Sequence, residues 1–444
     1  MPMCSAGWKQ AIAAVSPGPS LPNKMDFYFP DSQDQIDPNF DFEAESHLPF
    51  HVRQRDDLYA HEVHDQPPYS GMLISKAMID GYRGAGRYTA AQRHRLYRLG
   101  VHEFFRLPKG LKVIGDCGGF SYVGEDKPPV TVNEVIDFYE GLEVDEGVSV
   151  DHVILAYQST PTIDEPKEEW FDRQAVTLEL ADEFFNEHSR RGCRFTPIGA
   201  AQGWSPESYA VSVQRLQEIG YRRIALGGMV QLKIDQILAC LEAVDKVRLP
   251  NTSLHLLGIS RTQRYRAFHT LGVRSLDSTS PFRQAFKDDK DNYYTASGNY
   301  VALRIPPSEG NPSLRGRIRA GQLDQRVVRK AEEHALETVR AYDRDDGTLT
   351  AALKALREYE LIFDTKERDR TEEYRAMLDV RPWQQCTCAV CRRWGVEVAI
   401  FRGTERNKRR GFHNLWVFNQ TMKEQIARMS EMARIEREAI GEPV

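Results

Sequence analysis

The chain has 444 residues, of which 41% are hydrophobic and 28% charged, and its net charge is −5. That length suits one enlarged domain or two ordinary ones, and the composition is that of a soluble globular protein. No apolar run is long enough to span a bilayer and no secretory signal pattern opens the chain, so no membrane partner and a cytoplasmic setting are expected; the net charge gives no global reason for a polyanion partner.

Residues 1–24 are rich in small residues and proline without a sustained period, and read as a flexible leader, with Met25 as an alternative start. From residue 71 short apolar runs alternate with helical patterns. The runs are GMLIS (71–75), LKVIG (111–115), HVILAY (152–157), FTPIGA (195–200), RRIALGG (222–228), LHLLGIS (254–260) and RSLDS (274–278). Segments 131–142, 170–191, 205–220 and 233–247 carry apolar residues at spacings of three and four, which predicts helices between the strands. Repeated βα units imply a parallel sheet, and seven strands in series favour a closed barrel. The expected fold is therefore α/β, a (β/α)8 TIM-like barrel at 25–313 with an N-terminal extension. A helical insert at 314–377 and a zinc-binding subdomain with a closing helix at 378–444 complete it.

In such barrels the active site is built from loops at the C-terminal strand ends. Five of the runs lead into Gly-rich or polar clusters, GDCGGF, YQSTP, GAAQGW, LGGMV and LDSTSPFR, and two of these hold a strand-end carboxylate, Asp116 and Asp277. One such Asp could equally cap the next helix. Two beside Gly-Gly turns, where no Cβ blocks a flat ligand, suit displacement at an anomeric carbon, with one Asp attacking and the other moving a proton.

Of seven cysteines, Cys4, Cys117, Cys193 and Cys240 are scattered and suggest no disulfide framework, whereas Cys386, Cys388 and Cys391 fall within six residues. With His413 they make a closed Cys3His set for a structural Zn2+. Between the ligands, residues 392–410 hold seven Lys/Arg against two Glu, with Trp394 and Phe401 interleaved. That pattern predicts a phosphate-contacting surface carried by Arg406, Lys408, Arg409 and Arg410, which the basic stretch 314–330 extends.

These motifs resemble the tRNA-guanine transglycosylase superfamily. DCGGF is similar to its Asp-Ser-Gly-Gly-Phe motif, AAQG to its Val-Gln-Gly turn, LGGM to its Gly-Gly-Leu turn and HLLGIS to its Leu-Met-Gly strand. LDSTSPFRQAF resembles its nucleophile segment, and CTCAVC followed by FHNLW its zinc knot. The leader FYFPDSQDQIDPNFDFEAE and the segment VRQRDDLYAHEV resemble the branch that inserts 7-deazaguanines into DNA. The resemblance implies that Asp277 attacks C1′ of a deoxyguanosine, expels guanine and forms a covalent aspartyl-deoxyribosyl ester. Asp116 would shuttle the proton while an incoming preQ0-type base attacks from N9. Base contacts would come from Cys117, Gly118, Gly119, Phe120, Gln202, Gly227, Gly228, Met229 and Leu257.

The chain departs from the tRNA enzymes where their Phe-Asp grips the purine edge. LAYQS offers the amide of Gln158 at that point. No redox or nucleotide cofactor is implied. Expected partners are DNA (or tRNA) and free 7-deazaguanine, and the resemblance raises a helper ATPase that opens the duplex and a homodimer. Three rivals stand beside this reading: a tRNA transglycosylase, a non-catalytic zinc-containing nucleic-acid-binding protein, which would have no use for a nucleophile, and a barrel glycosidase, which leaves the zinc knot unexplained.

Overall fold

The computed structural model of the chain describes residues 24–82, 86–159, 165–261, 264–287, 290–366 and 368–439; the expected leader lies almost wholly outside them. Eight parallel strands close into a barrel in sequence order. They are β1 (Asp26–Pro30), β2 (Gly71–Ser75), β3 (Lys112–Asp116), β4 (Glu146–Val148), β5 (Thr196–Ala201), β6 (Arg223–Leu226), β7 (Ser253–Leu256) and β8 (Val273–Asp277). The helices that follow them are α1 (Ala60–Val63), α2 (Ala90–Phe104), α3 (Val132–Leu142), α4 (Glu168–Arg191), α5 (Pro206–Ile219), α6 (Ile234–Asp245), α7 (Tyr265–Thr270) and α8 (Ser280–Gln284). Closure pairs β1 with β8, Tyr28 lying opposite Asp277.

Alternation along each strand divides the core in two. Tyr28, Leu73, Ile114, Val148, Ile198, Ala200 and Ala225 fill the barrel interior, while the opposite faces pack on the helices. α3 shows how helix and sheet fit. Thr131 caps it reciprocally with Glu134, and Val132, Val135, Ile136, Tyr139 and Leu142 form its buried stripe. Tyr139 lies across Gly115 and Gly147, where an added Cβ would come within 2.3 and 2.6 Å of its ring, and its hydroxyl donates to the Val148 carbonyl at 2.8 Å.

Two expectations need correction. The run HVILAY is not a strand; the fourth strand is the shorter Glu146–Val148 just before it. Val153 and Ile154 are buried by packing without a ladder, and an apolar run alone does not distinguish these two kinds of burial. The eighth strand is DFYFP, which was read only as part of the N-terminal extension. Phe27 and Phe29 face the outer shell and Tyr28 the interior.

After the barrel, helices Pro312–Arg319, Gln325–Asp343, Leu349–Phe363 and Thr371–Val380 form a helical layer, the middle two packed on each other. The chain ends in one long helix, Gly403–Ala439, that runs antiparallel to β1. Phe418 packs on Phe27 with ring centroids 4.7 Å apart, Phe412 lies by Phe282 of α8, and Lys408 reaches the Gln35 carbonyl beyond the end of β1. The start of this helix therefore stands at the same end of the barrel as the C-terminal ends of the strands.

That placement overturns the expected phosphate-contacting surface, because Arg406, Lys408, Arg409 and Arg410 all point inward and are at most 9% exposed. Arg406 pairs with Glu45 and Glu397, and Arg409 with Glu405. Arg410 donates to the carbonyls of Val398, Ile400 and Ala285, and burial pushes its guanidinium down to about 9. Trp394 and Phe401, expected to interleave with cations against nucleic acid, stack on Arg409 and Arg410 instead. A dense basic run this close to a metal knot is thus an internal brace, whose donors satisfy backbone carbonyls that no water reaches. Arg410→Ala should cost about 3 kcal/mol by stranding those carbonyls, read as a lower thermal midpoint, while the salt dependence of nucleic-acid binding by the folded fraction stays unchanged.

Candidate active site and metal centre

Asp116 ends β3 and Asp277 ends β8, so both stand at the barrel mouth. A third carboxylate joins them. Asp151 follows β4, is 3% exposed, and accepts hydrogen bonds from the Cys117 thiol at 3.2 Å and from Gln202 Nε2 at 2.6 Å. Gln202 in turn accepts from the Ile154 amide at 3.3 Å. Two turns make room for this network. A Cβ on Gly119 would stand 2.7 Å from Asp151 Oδ1, and one on Gly227 only 2.2 Å from Gln202 Nε2. Gly118 and Gly228 adopt left-handed conformations, with φ of 94° and 72°. Met229 is buried behind the second turn, Leu257 packs on the barrel interior and Phe120 is 53% exposed at the rim.

The three carboxylates differ in their donors. Asp277 Oδ1 receives two, the Gly258 amide at 3.0 Å and His255 Nε2 at 3.1 Å. His255 is held from its other nitrogen by Ser275 Oγ at 2.8 Å, and Ser275 accepts from Arg223. His255 Nε2 is taken as the donor to Asp277, a role assigned from these partners. Its bond to Oδ1 leaves Asp277 Oδ2 outside these contacts.

Asp116 has a poorer supply. Its Oδ2 accepts from the Gly118 amide at 2.9 Å. The side chain is partly open to the mouth but densely surrounded, and burial first, then the charges of Asp151 and Asp277, pushes its carboxyl up to about 8. Asp151 is also raised by burial, against the opposing bonds from Cys117 and Gln202. The mouth therefore brings together a carboxyl pushed up to about 8 and a second, Asp277, supplied with two hydrogen-bond donors.

Three members of this network lie outside the sequence expectations: Asp151, His255 and Ser275. Asp151 sat one residue ahead of the run taken for a strand. Gln158, expected to meet the base edge, follows that run, its backbone N–H donating to the Trp204 carbonyl at 2.6 Å. His255 stands two residues before Leu257, and Ser275 two before Asp277 on the neighbouring strand. That period-two pairing was the available signal.

Away from the mouth, Cys386, Cys388, Cys391 and His413 come together with their ligand atoms within 4.8 Å of one another. His413 Nδ1 lies 3.3 to 3.5 Å from the three sulfurs, close to the ligand separation a tetrahedral zinc requires. Its Nε2 donates to the Tyr294 carbonyl at 2.8 Å, leaving Nδ1 free to ligate, and the Cys391 amide points at Cys388 Sγ from 3.3 Å. The donor set thus fits zinc, and all four positions are taken by protein, which leaves none for a substrate.

Two measurements follow from this geometry. Between the unperturbed value of 3.8 and about 8, the folded state holds a proton on Asp116 that the unfolded chain gives up. Stability contributed by this group therefore falls as pH rises through that window. Asp116→Asn should flatten that part of the decline, seen by comparing the variant's thermal midpoints at pH 5 and pH 8 with those of the parent. Cys388→Ala should lose about one equivalent of zinc by elemental analysis and melt earlier, because a closed site contributes folding energy directly; a stable zinc-free variant would refute the structural role.

Comparison with known proteins gives a direct family assignment. No family model matches the chain. A protein of Salmonella montevideo called DNA-guanine transglycosylase is 45% identical over 415 residues, which span 92% of this chain and 99% of the relative. With the closed βα barrel and the Cys3His centre in the same chain, a likeness of that extent leaves one assignment: the chain is an enzyme of the DNA-guanine transglycosylase family, within the tRNA-guanine transglycosylase superfamily.

Proposed function

We propose that the chain replaces guanine in DNA with a 7-deazaguanine base of the preQ0 type through a covalent ester on Asp277. The observation that carries this reading is the contrast at the mouth, where Asp277 has two donors on one oxygen and Asp116 is raised to about 8. Neighbouring carboxyls in environments this different suit the roles of acid and nucleophile.

Asp277 attacks C1′ of the target nucleoside as the C1′–N9 bond breaks, and Asp116 gives its proton to the departing guanine. The deazaguanine then enters, Asp116 takes the N9 proton, and N9 attacks C1′ and expels Asp277. The proton lent in the first half returns in the second, and two displacements restore the original stereochemistry. Gly258 and His255 hold Asp277 Oδ1 throughout, with His255 as a positioning residue. Asp151, anchored by Cys117 and Gln202, supplies a carboxylate acceptor for the N–H groups of the purine edge. Gly118, Gly119, Gly227 and Gly228 admit the ring, with Phe120 on its outer side and Met229 and Leu257 behind. Zinc acts in the fold alone. Phosphate contacts fall to the exposed cations of 314–330, Arg315, Arg319, Arg326 and Lys330, rather than to the buried run.

Incubation with labelled guanine and either duplex DNA or tRNA tests the substrate, label in tRNA alone being the contrary result. On denaturing gels, Asp277→Asn should show no enzyme–DNA adduct. Asp116→Asn should retain some adduct yet exchange no base, because nothing accepts the N9 proton. Adduct from Asp277→Asn and none from Asp116→Asn would reverse the two roles.

A further inference from the structure

Between β1 and α1 the chain makes a long excursion, and its tip carries three exposed apolar side chains in five residues. Leu48 is 55% exposed, Phe50 90% and Val52 45%. Apolar residues exposed singly are ordinary; three on one stiffened tip are not.

The tip is stiff for identifiable reasons. Ile36 and Leu58 pair at the base through two backbone hydrogen bonds of 3.0 and 2.8 Å. Above that bridge, Asp37 accepts from His47 Nδ1 at 2.7 Å, His51 bonds Asp57 at 2.7 Å, and the two imidazoles stack with centroids 4.5 Å apart. At the crown Pro49 restricts the backbone, and a turn joins the His51 amide to the Leu48 carbonyl at 3.0 Å. Exposing Phe50 is thus a built feature of the excursion.

Its position links it to the proposed chemistry. The excursion leaves the mouth directly from β1, whose Tyr28 lies opposite Asp277 in the barrel closure. Its base is fastened to the start of the C-terminal helix at the same end, where Glu405 accepts from the Asp37 amide. Arg53, exposed beside the apolar tip, adds a cation suited to a phosphate. A nucleophile at the floor of a barrel mouth reaches C1′ only when the base has left the stack. Proteins that open a duplex do so with apolar or aromatic wedges, which stack on the bases they separate.

We propose that the Leu48–Phe50–Val52 tip is a DNA-opening element that enters the base stack beside the target guanine. This rests on the reading of the chain as a DNA-guanine exchanger and names how its site gains access to a paired base.

Phe50→Ser is the test, since a side chain this exposed is not needed for folding. Exchange of labelled guanine is measured on a fully paired duplex and on the same duplex with the target guanine in an unpaired bubble. The variant should lose roughly tenfold on the paired duplex, the scale of one aromatic–base stack, and match the parent on the bubble. Equal rates on both DNAs, or equal losses on both, would overturn the proposal. So would a purified variant of full activity whose cells alone lack the modified base, since the tip would then serve a protein partner. A 2-aminopurine placed next to the target guanine gives a readout independent of exchange. Its fluorescence should rise with the parent and not with Phe50→Ser. A parent that unstacks the probe but exchanges no guanine counts against the exchange reading alone; a parent that binds without unstacking it counts against the wedge.

Discussion

Three carboxylates, Asp116, Asp151 and Asp277, share one desolvated end of the barrel, and the surrounding structure is arranged around the cost of keeping them there. Like charges held close in a medium of low polarity cannot all remain ionised unless donors compensate them. The barrel supplies those donors unevenly. Cys117 and Gln202 serve Asp151, and Gly258 and His255 serve Asp277, which leaves Asp116 as the place where a proton resides. The Gly-Gly turns belong to the same arrangement, because a Cβ at Gly119 or Gly227 would collide with the Asp151–Gln202 pair. A Ser275–Arg223–Glu146 relay through the barrel supports His255 from behind, so Asp277 is held in place by residues behind the mouth.

A second constraint is mechanical. Strand β1 closes the barrel against β8, the strand that carries Asp277, and the C-terminal helix lies along its outer face. The register of that pair passes from the mouth excursion at Asp37 to Phe27 near the opposite end. Arg406, Arg409 and Arg410 tie the helix to the excursion, to the segment 398–400 and to α8. The Cys3His centre joins the same helix, through His413, to the short turns at 386–391. Through His413 that cluster shares a helix with the residues that pack on β1, the strand paired with that of Asp277.

Much of this was legible in the sequence. Strand–helix alternation named the barrel, and the cysteine spacing named three of the four side chains that the fold gathers into one cluster. Asp116 and Asp277 were visible because each ends a strand within a polar cluster. What failed did so for definite reasons. β4 is three residues long and gives no periodic signal, so the apolar run after it took its place and Asp151, just ahead of that run, stayed hidden. The cations of 392–410 looked like a surface because charge is normally solvated; nothing local reveals that Glu45, Glu397 and a set of backbone carbonyls await them from distant segments. His255 depends on a partner one strand away, and Phe50 shows itself only through exposure.

The proton on Asp116 joins the stability of the site to its proposed chemistry. A carboxyl near its ordinary value would be ionised at neutral pH and would leave guanine to depart as an anion. One raised far beyond neutrality would hold its proton too tightly to give it to the leaving base. A value of about 8 lies between these limits, and it is produced by burial and by the charges of Asp151 and Asp277. Exchange needs an acid that recovers its proton within one visit of the substrate. Crowding three carboxylates, which is unfavourable for the fold, is what gives the mouth a group able to work in both directions.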